Sequence, residues 1–451
     1  MVSIGIDIGT TTICACVLDA DTGVILKTWT QQHGFLTTEH DWAKVQDAAG
    51  IQQTVEGILQ DILATYSGIS CLGLTGQMHG ILYLDARGKP VSPLMTWQDE
   101  RGNQPIPGSS ETYAQRLTRL TGYPCATGYG AVTHYYNTCC GLVPENAAVF
   151  CTIHDYLMML LGGMTRPVTH PSDAASIGLF DLSSNQFDTA AIEAAGMDPA
   201  MFPAVSCNAT AITAFGFPTA VAIGDNQACF HGSVRDPEES VLVNVGTGSQ
   251  ISRWIRQHHP QCPVESRPYV DGSYLLSGSP LCGGRSYALL ETFFRSFLTV
   301  AGYETRPVYD VLNRLASGFE VLADPLRVET MFCGSRQNPS LRGSITNISI
   351  DNFTPEQLTV GFLQGCVNEL YETYLQLQPL LDHHPAYLVG SGNGLRKNPV
   401  LQKLFERTFD MKLLIPRHME EAAYGAALFA MICTMPDRDP QSIRNLIRYS
   451  A

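Results

Sequence analysis

Basic residues are scarce in this chain of 451 residues: Lys and Arg number 28 against 42 Asp and Glu, for a formal net charge of −14. They gather nowhere into a run or stripe. That excludes the electrostatic footprint of a nucleic-acid or acidic-membrane binder. It also denies an anionic ligand any help from the surface, so a phosphate site has to be assembled locally from backbone amides and a bound cation. Charged residues make up only 16% and hydrophobic ones 45%, the balance of a packed globular protein and not of a disordered one. Long apolar runs are missing too; the most apolar late stretch, 422–433, is too short to span a bilayer. None of the 14 cysteines forms a Cys-x-x-Cys pair, which removes zinc and thioredoxin-like readings. They lie scattered, often inside apolar strands (Cys14, Cys16, Cys71, Cys151), and are expected as free thiols in a reducing cytosol. The opening Met1-Val2-Ser3-Ile4-Gly5 enters a strand at once, so no signal peptide is expected. A cytoplasmic protein of two or three domains is the expectation.

What the chain does have is the same short turn twice. Ile4-Gly5-Ile6-Asp7-Ile8-Gly9-Thr10-Thr11-Thr12 opens it, and Val241-Leu242-Val243-Asn244-Val245-Gly246-Thr247-Gly248-Ser249 follows just past the middle. Each is an apolar, β-branched run, a turn of Gly and hydroxyl residues, then a second apolar run. Gly allows close approach of backbone to ligand, so N–H groups converge on an anion, and Thr and Ser hydroxyls add donors. One such hairpin is a weak signal. Two, one per half, point to a duplicated domain with both turns facing a shared phosphate site.

Strands are expected at 3–8, 13–19, 23–30 and 70–75, with a helix over 50–64 whose Ile51, Val55, Ile58, Leu59, Ile62 and Leu63 share a face. Around 205–220 the chain turns Pro-, Thr- and Ala-rich before an apolar strand at 220–224, and the boundary is placed there, giving domains 1–217 and 218–451. In the second half, Thr354 is the N-cap of a helix with Pro355 at N1. A strand at 386–389 meets Gly390-Ser391-Gly392-Asn393-Gly394, and Asn398-Pro399 opens another helix. Strand, Gly-rich turn and helix form a nucleotide-contact geometry, although such turns are often purely structural.

Two carboxylates stand out. Asp7 lies two residues before the glycine of the first turn, where it would repel phosphate unless a divalent cation intervened; the functional reading therefore implies Mg²⁺, the bland one a turn residue capping its own loop. Asp225 ends an apolar strand beside Gly224, a position that points into a crevice and also suits a helix N-cap. Gln77, Met78, His79, Asp99 and Arg101 follow strands in loops that combine polar groups with an apolar floor, which suits a polyhydroxylated ligand. His154-Asp155 invites a proton-relay reading, but with no Ser or Cys elbow nearby a helix-start cap is the plainer one.

These pieces together resemble the FGGY carbohydrate kinases of the actin-like ATPase superfamily, over nearly the whole length. The resemblance is carried by residues 5–11, by Gly76-Gln77-Met78-His79-Gly80, and by Thr96-Trp97-Gln98-Asp99. Thr152-Ile153-His154-Asp155-Tyr156, Gly224-Asp225-Asn226-Gln227-Ala228, Gly246-Thr247-Gly248-Ser249 and Gly390-Ser391-Gly392 extend it. Gln-Met-His-Gly with Trp-Gln-Asp is similar to the ketose kinases, and Thr-Ile-His-Asp-Tyr with Ser172-Asp173-Ala174-Ala175-Ser176 to those acting on sedoheptulose.

The resemblance implies an α/β fold of two duplicated actin-like (ribonuclease H-like) ATPase domains with an interdomain cleft. It implies ATP and Mg²⁺ as cofactors, and phosphoryl transfer to a primary hydroxyl of a ketose, sedoheptulose ahead of xylulose. Asp225 matches the catalytic base and Asp7 the acid near the Mg–ATP phosphates. Gln77, Met78, His79 and Asp99 match sugar contacts, with Arg101 beside them. Gly9, Thr10 and Thr11 match one phosphate loop, Gly246, Thr247 and Gly248 the other, and Gly390, Ser391, Gly392 and Asn393 the adenosine loop. A sugar and ATP would be its partners, with neither nucleic acid nor membrane, and a homodimer is compatible with it. Where many relatives carry Lys or Arg after the first loop, this chain has Ile13-Cys14. That departure keeps a non-catalytic sugar sensor of the same fold as a rival, although both Asp7 and Asp225 are present.

Overall fold

The structure, a computed structural model, describes residues 1–246, 248–260, 262, 264–304, 306–318, 324–334, 340–381 and 383–450. The chain divides into two compact units, one made of Met1–Arg235, Arg267–Ser273 and Glu420–Ile447, the other of Asp236–Ser266, Tyr274–Met419 and the last residues from Arg448.

In the first unit, strands β1 (Val2–Ile8) and β2 (Thr12–Asp19) form an antiparallel hairpin around the first Gly-Thr turn, with Asp7 opposite Cys14. Strand β3 (Ile25–Gln32) pairs with β2. Helix α1 (Ala48–Thr65) starts where the Asp47 carboxylate accepts from Ala49 N, and it buries Ile51, Val55, Ile58, Leu59 and Ile62 in the same core as β1. Strand β4 (Ile69–Gly76) runs parallel to β1. Ile4, Ile6 and Ile8 are fully buried, as expected of a central strand covered on both faces. Helix α2 (Ile153–Leu161) is capped by the Thr152 hydroxyl, and α3 (Pro171–Ile177) by His170 with Pro171 in its first turn. Strands β5 (Thr210–Ile212), β6 (Pro218–Ala220) and β7 (Ile223–Gly224) precede α4 (Asp225–Ser233). The sheet order is β5-β6-β4-β1-β2-β3, and β7 also pairs with β4.

Because β6 and β7 pair with β4, residues 218–235 fold with the first unit. The units separate at 235/236, beyond the Pro/Thr/Ala-rich stretch whose composition placed the boundary at 217/218. The expected strand over 220–224 is two short pieces for the same reason: each reaches a different part of β4.

In the second unit the pattern recurs. Strands β8 (Ser240–Val245) and β9 (Ser249–Ile255) form a hairpin around the second Gly-Thr turn, and β10 (Tyr274–Gly278) pairs with β9. After helices α5 (Gly283–Val300) and α6 (Pro355–Leu377), strand β11 (Tyr387–Ser391) lies parallel to β8, as β4 does to β1. The Thr354 hydroxyl accepts from Gln357 N at the start of α6, as expected. Helix α7 (Pro399–Phe409), capped by Asn398, leads to strand β12 (Lys412–Leu414) beside β11. Leu363, Val367 and Leu370 of α6 and Leu401, Leu404 and Phe405 of α7 pack on Val241 and Val243 of β8.

Helix α8 (Glu421–Thr434) belongs to the first unit, where it contacts β1, β4 and α4. A Cβ on Gly5 would lie 1.8 Å from Ala423 O, and one on Gly73 1.9 Å from Ala426 O. Only glycine lets the α8 backbone settle this closely on the sheet. Among the described residues no helix is long and apolar enough to cross a membrane.

Candidate active site

Three parallel strand ends meet in the first unit. Asp7 pairs with Thr75 and Ile8 with Gly76, while Gly224 pairs with Gly76 on the other side. Asp7, Gln77 and Asp225 therefore leave the same edge of the sheet, at the carboxyl ends of the strands where α/β sheets bind ligands. Asp225 is the first residue of α4, whose N-cap is Gly224 with no side-chain capping bond, so the capping reading of Asp225 does not hold. Both carboxylates are only partly buried. Burial raises the Asp7 pKa to about 7, reinforced by Asp225 and Glu420 and opposed by His154. It raises Asp225 to about 6, tempered by Arg267 and His154. Asp7 Oδ1 is enclosed and has no hydrogen-bond partner. An orphaned carboxylate oxygen among other acids is the environment a hard divalent cation or its water shell would satisfy, so the donor set fits Mg²⁺.

Behind these acids, His154, Asp155 and Asp173 are all fully buried. His154 Nε2 lies 3.1 Å from Asp173 Oδ1. Burial lowers the imidazole pKa, but Asp173, Asp155 and Asp225 outweigh it and hold His154 up at about 9. Asp155 is pushed up to about 7 by burial, with His154 opposing and Asp173 adding. His154 is thus an ion-pair partner, and the cap expected of this stretch comes from Thr152, whose hydroxyl accepts from Asp155 N.

Thr10 of the first phosphate loop is held from three sides. Gln46 Nε2 donates to its carbonyl (2.6 Å), Trp97 Nε1 donates to its hydroxyl (2.9 Å), and that hydroxyl donates to Gln77 Oε1 (3.4 Å). Gln77 Nε2 in turn donates to Gln46 Oε1 at 2.8 Å, so both ends of its amide are engaged by protein. Gly9 N closes the turn on Thr12 O (3.0 Å), and the Thr11 carbonyl accepts from His33 N. Asp99, fully buried, accepts from Arg101 Nε (2.7 Å), a second guanidinium nitrogen (3.0 Å) and Lys44 N. Arg101 also donates to Asn137 Oδ1. Asp99 and Arg101 thus brace their loop, while Trp97, Gln98 and Glu100 are exposed. Met78 is buried against Gly224. His79 sits at φ 74°, stacked on Tyr129 with ring centroids 4.7 Å apart.

The second unit brings its own two loops together. Gly246 and Gly248 turn between β8 and β9, with Gly246 N donating to Gly248 O (3.0 Å) and Gly284 N to Gly246 O (3.1 Å). Thr247 lies outside the described residues. Ser391, at the end of β11, pairs with Asn244 of β8. Gly392 (φ 85°) then carries the chain against Val245, where a Cβ would meet the carbonyl oxygen at 2.6 Å, and Asn393 begins the short helix Asn393–Arg396. The 246–249 and 390–394 turns thus leave adjacent parallel strands.

Arg267, Glu420 and Asp173 were not singled out as charge partners by sequence reasoning. The first two are brought to the site from distant segments by the fold, with no local pattern to mark them. Asp173 lay inside a recognised motif, so its neighbourhood was visible but its partner was not. Cys14, opposite Asp7, has its thiol pushed up to about 11 by burial with Glu420 and Asp7 adding, and supplies no charge.

Residues 2–243, more than half of the chain, match the FGGY family of carbohydrate kinases, N-terminal domain. The chain is 27% identical to a sedoheptulokinase of Mus musculus, covering 97% of this chain and 99% of the relative. It is 22% identical to a gluconokinase of Bacillus subtilis, covering 96% and 87%. Among solved structures, xylulose kinase from Rhodospirillum rubrum superposes with a TM-score of 0.85 at 19% identity, over 100% of this chain and 93% of that one. Plasmodium falciparum glycerol kinase with ADP gives 0.83 at 18%, over 100% and 93%. The chain belongs to the FGGY family of carbohydrate kinases, and is a sugar kinase with the two-domain actin-like ATPase fold.

Proposed function

We propose that this sugar kinase transfers the γ-phosphoryl group of ATP to a terminal primary hydroxyl of sedoheptulose, giving sedoheptulose 7-phosphate and ADP. The observation that carries the substrate is likeness along the full length to two sedoheptulokinases, of Mus musculus and Homo sapiens, at 27% and 25% identity over 99% and 96% of their lengths. Phosphoryl transfer asks a protein chiefly for alignment and charge stabilisation. The 9–11 turn would offer backbone N–H groups and hydroxyls to the phosphates and the second Gly-Thr turn further backbone N–H groups, while the 390–393 turn would meet the adenosine. Asp7 would hold Mg²⁺ directly or through water, and the ion would offset charge on the phosphate oxygens.

Asp225 orients the sugar hydroxyl and takes its proton as the new P–O bond forms and the bond from the γ-phosphorus to the β–γ bridging oxygen breaks. A carboxylate lifted to about 6 is a better base than an ordinary one and is still ionised at neutral pH. His79, Trp97 and Gln98 are the accessible groups of the sugar loops, on a frame that Gln77, Asp99 and Arg101 stiffen.

A coupled assay of ADP release over a panel of sugars tests the substrate. The expected order in kcat/KM is sedoheptulose above xylulose, with negligible turnover of glycerol, which leaves polar groups of the site unpaired. Xylulose or ribulose ahead by about tenfold would overturn the sedoheptulose assignment and leave the kinase intact.

A further inference from the structure

Helix α3 touches two parts of the proposed site with two serines of one face. The Ser172 hydroxyl accepts the Gly224 N–H at 3.1 Å, one residue before Asp225. Ser172 is itself fixed by His170 Nδ1, 2.9 Å from its hydroxyl. One turn later, Ser176 grips His79 twice. Its hydroxyl accepts His79 N–H at 3.1 Å, and its carbonyl lies 2.7 Å from His79 Nδ1. The two serines are 1% and 4% exposed, so water does not compete for these bonds.

His79 needs such a grip. At φ 74° it occupies a region that L-residues with a side chain rarely adopt. Strain of that kind persists only where the surroundings over-determine it, and it gathers at ligand sites. The Ser176 carbonyl also orients the imidazole: it can only accept, so Nδ1 carries a proton, and in the neutral ring Nε2 is then the acceptor nitrogen. Because residues i and i+4 of a helix lie on one face about 6 Å apart, α3 ties the sugar loop and the strand end that carries the base to a single rigid turn.

We propose that Ser172 and Ser176 are positioning residues for phosphoryl transfer: Ser172 sets the placement of Asp225, Ser176 that of His79, and α3 fixes the distance between them. The inference rests on the reading of Asp225 as proton acceptor and of His79 as a sugar contact. Neither serine touches substrate. Misplacing a reacting group by about an ångström costs on the order of a hundredfold in rate, so a loosened backbone at Gly224 is enough to matter.

The test is steady-state kinetics of Ser172→Ala and Ser176→Ala with the urea midpoint of each. Ser172→Ala should lower kcat by about tenfold or more with KM for sugar and ATP within about twofold of wild type. Ser176→Ala, which keeps the carbonyl contact, should raise the sugar KM by roughly five- to tenfold and leave the ATP KM unchanged. A merely structural role would lower the urea midpoint and leave the kcat and KM of the remaining folded enzyme alike. Ser172→Thr, which retains the hydroxyl, should recover kcat, and Ser172→Cys, a weaker acceptor of similar size, should fall between and serves in its place if the alanine variant does not fold.

The inference is overturned if both alanine variants keep kcat and KM within about twofold, or if the two share one pattern of loss. Asp225→Asn, measured alongside, separates the cases. If it keeps turnover within about tenfold of wild type, the base reading has failed; if it is inactive while the serine variants are silent, only the positioning role has.

Discussion

Replacing Asp173 by asparagine removes the charge facing His154 while keeping the shape of the side chain, and the cost should depend on pH. The imidazole is fully buried, which disfavours its cation, yet Asp173 at 3.1 Å, helped by Asp155 and Asp225, lifts it from 6.5 to about 9. A folded pKa above the unfolded one means stability that is fully present below pH 6.5 and is lost as pH rises through about 9. A displacement of that size corresponds to about 3 kcal/mol. Asp173 is the foremost of the groups that hold the proton on, so Asp173→Asn should forfeit roughly 2–3 kcal/mol near pH 6 and progressively less toward pH 9.5. Urea unfolding followed by tryptophan fluorescence reads it, because Trp29, Trp42 and Trp97 lie in the first unit and only Trp254 in the second. With a slope of about 3 kcal/mol per molar, the midpoint should drop by somewhat under 1 M near neutrality and converge with wild type in alkali. An equal drop at both ends of the range would mean that His154 is neutral in the fold and that the pair is an ordinary hydrogen bond.

Other substitutions address the proposed chemistry directly. Asp225→Asn should cut kcat by about 10² to 10⁴ while calorimetry still shows both substrates binding, and the rise of wild-type kcat/KM through about pH 6 should vanish with it; turnover within about tenfold would deny it the base role. Asp7→Ala should lower kcat and flatten the dependence on Mg²⁺, and an unchanged Mg²⁺ titration would return Asp7 to a structural role. Gly246→Val should raise the ATP KM without touching sugar affinity, since among the described residues a Cβ there would meet nothing nearer than Asn244 Oδ1, at 3.8 Å, so the fold can accept the side chain that the proposed phosphate site cannot. Asn244→Asp, at the position in the second turn that Asp7 holds in the first, should raise the ATP KM about tenfold by setting an unneutralised carboxylate beside the phosphates; an unaltered ATP KM would mean that the 246–249 turn does not face them.

How much of this was legible in the sequence follows from how local each cause is. The Gly-Thr hairpins, the capped helices at Thr354 and Asn398, and the strands that run into Gly76 and Gly390 are written in neighbouring residues, and each forms where its pattern points. The division into units was not legible, because it depends on β6 and β7 finding β4 across more than a hundred residues, and composition carries no record of that pairing. Nor could spacing reveal that 420–447 returns to the first unit. Its signal is present only in retrospect: Gly5 and Gly73 are too small for ordinary strand residues, and Ala423, Ala426 and Ala427 supply the matching small face.

The site divides along the same line. Polar residues in post-strand loops were recognisable, but which of them present a free edge depends on neighbours the sequence does not order. Asp99 and Gln77 look like ligands in the chain and behave as struts in the fold, their polar atoms already taken by Arg101, Lys44, Thr10 and Gln46. His79 is the reverse case. Nothing in its residue type signals a left-handed backbone; a local bond from Gly80 N to Met78 O closes the turn around it, and two bonds it donates to Ser176, nearly a hundred residues away, together with the stack on Tyr129, help hold it there. A motif therefore identifies the residues that gather at a site, while the division of labour between those that touch substrate and those that hold them is decided by contacts distant in sequence. That division is where substitution experiments on this kinase have most to resolve: a strut and a ligand can both abolish activity, but only the ligand shifts the affinity for one substrate alone unless, like Ser176, the strut acts through a single ligand-bearing residue.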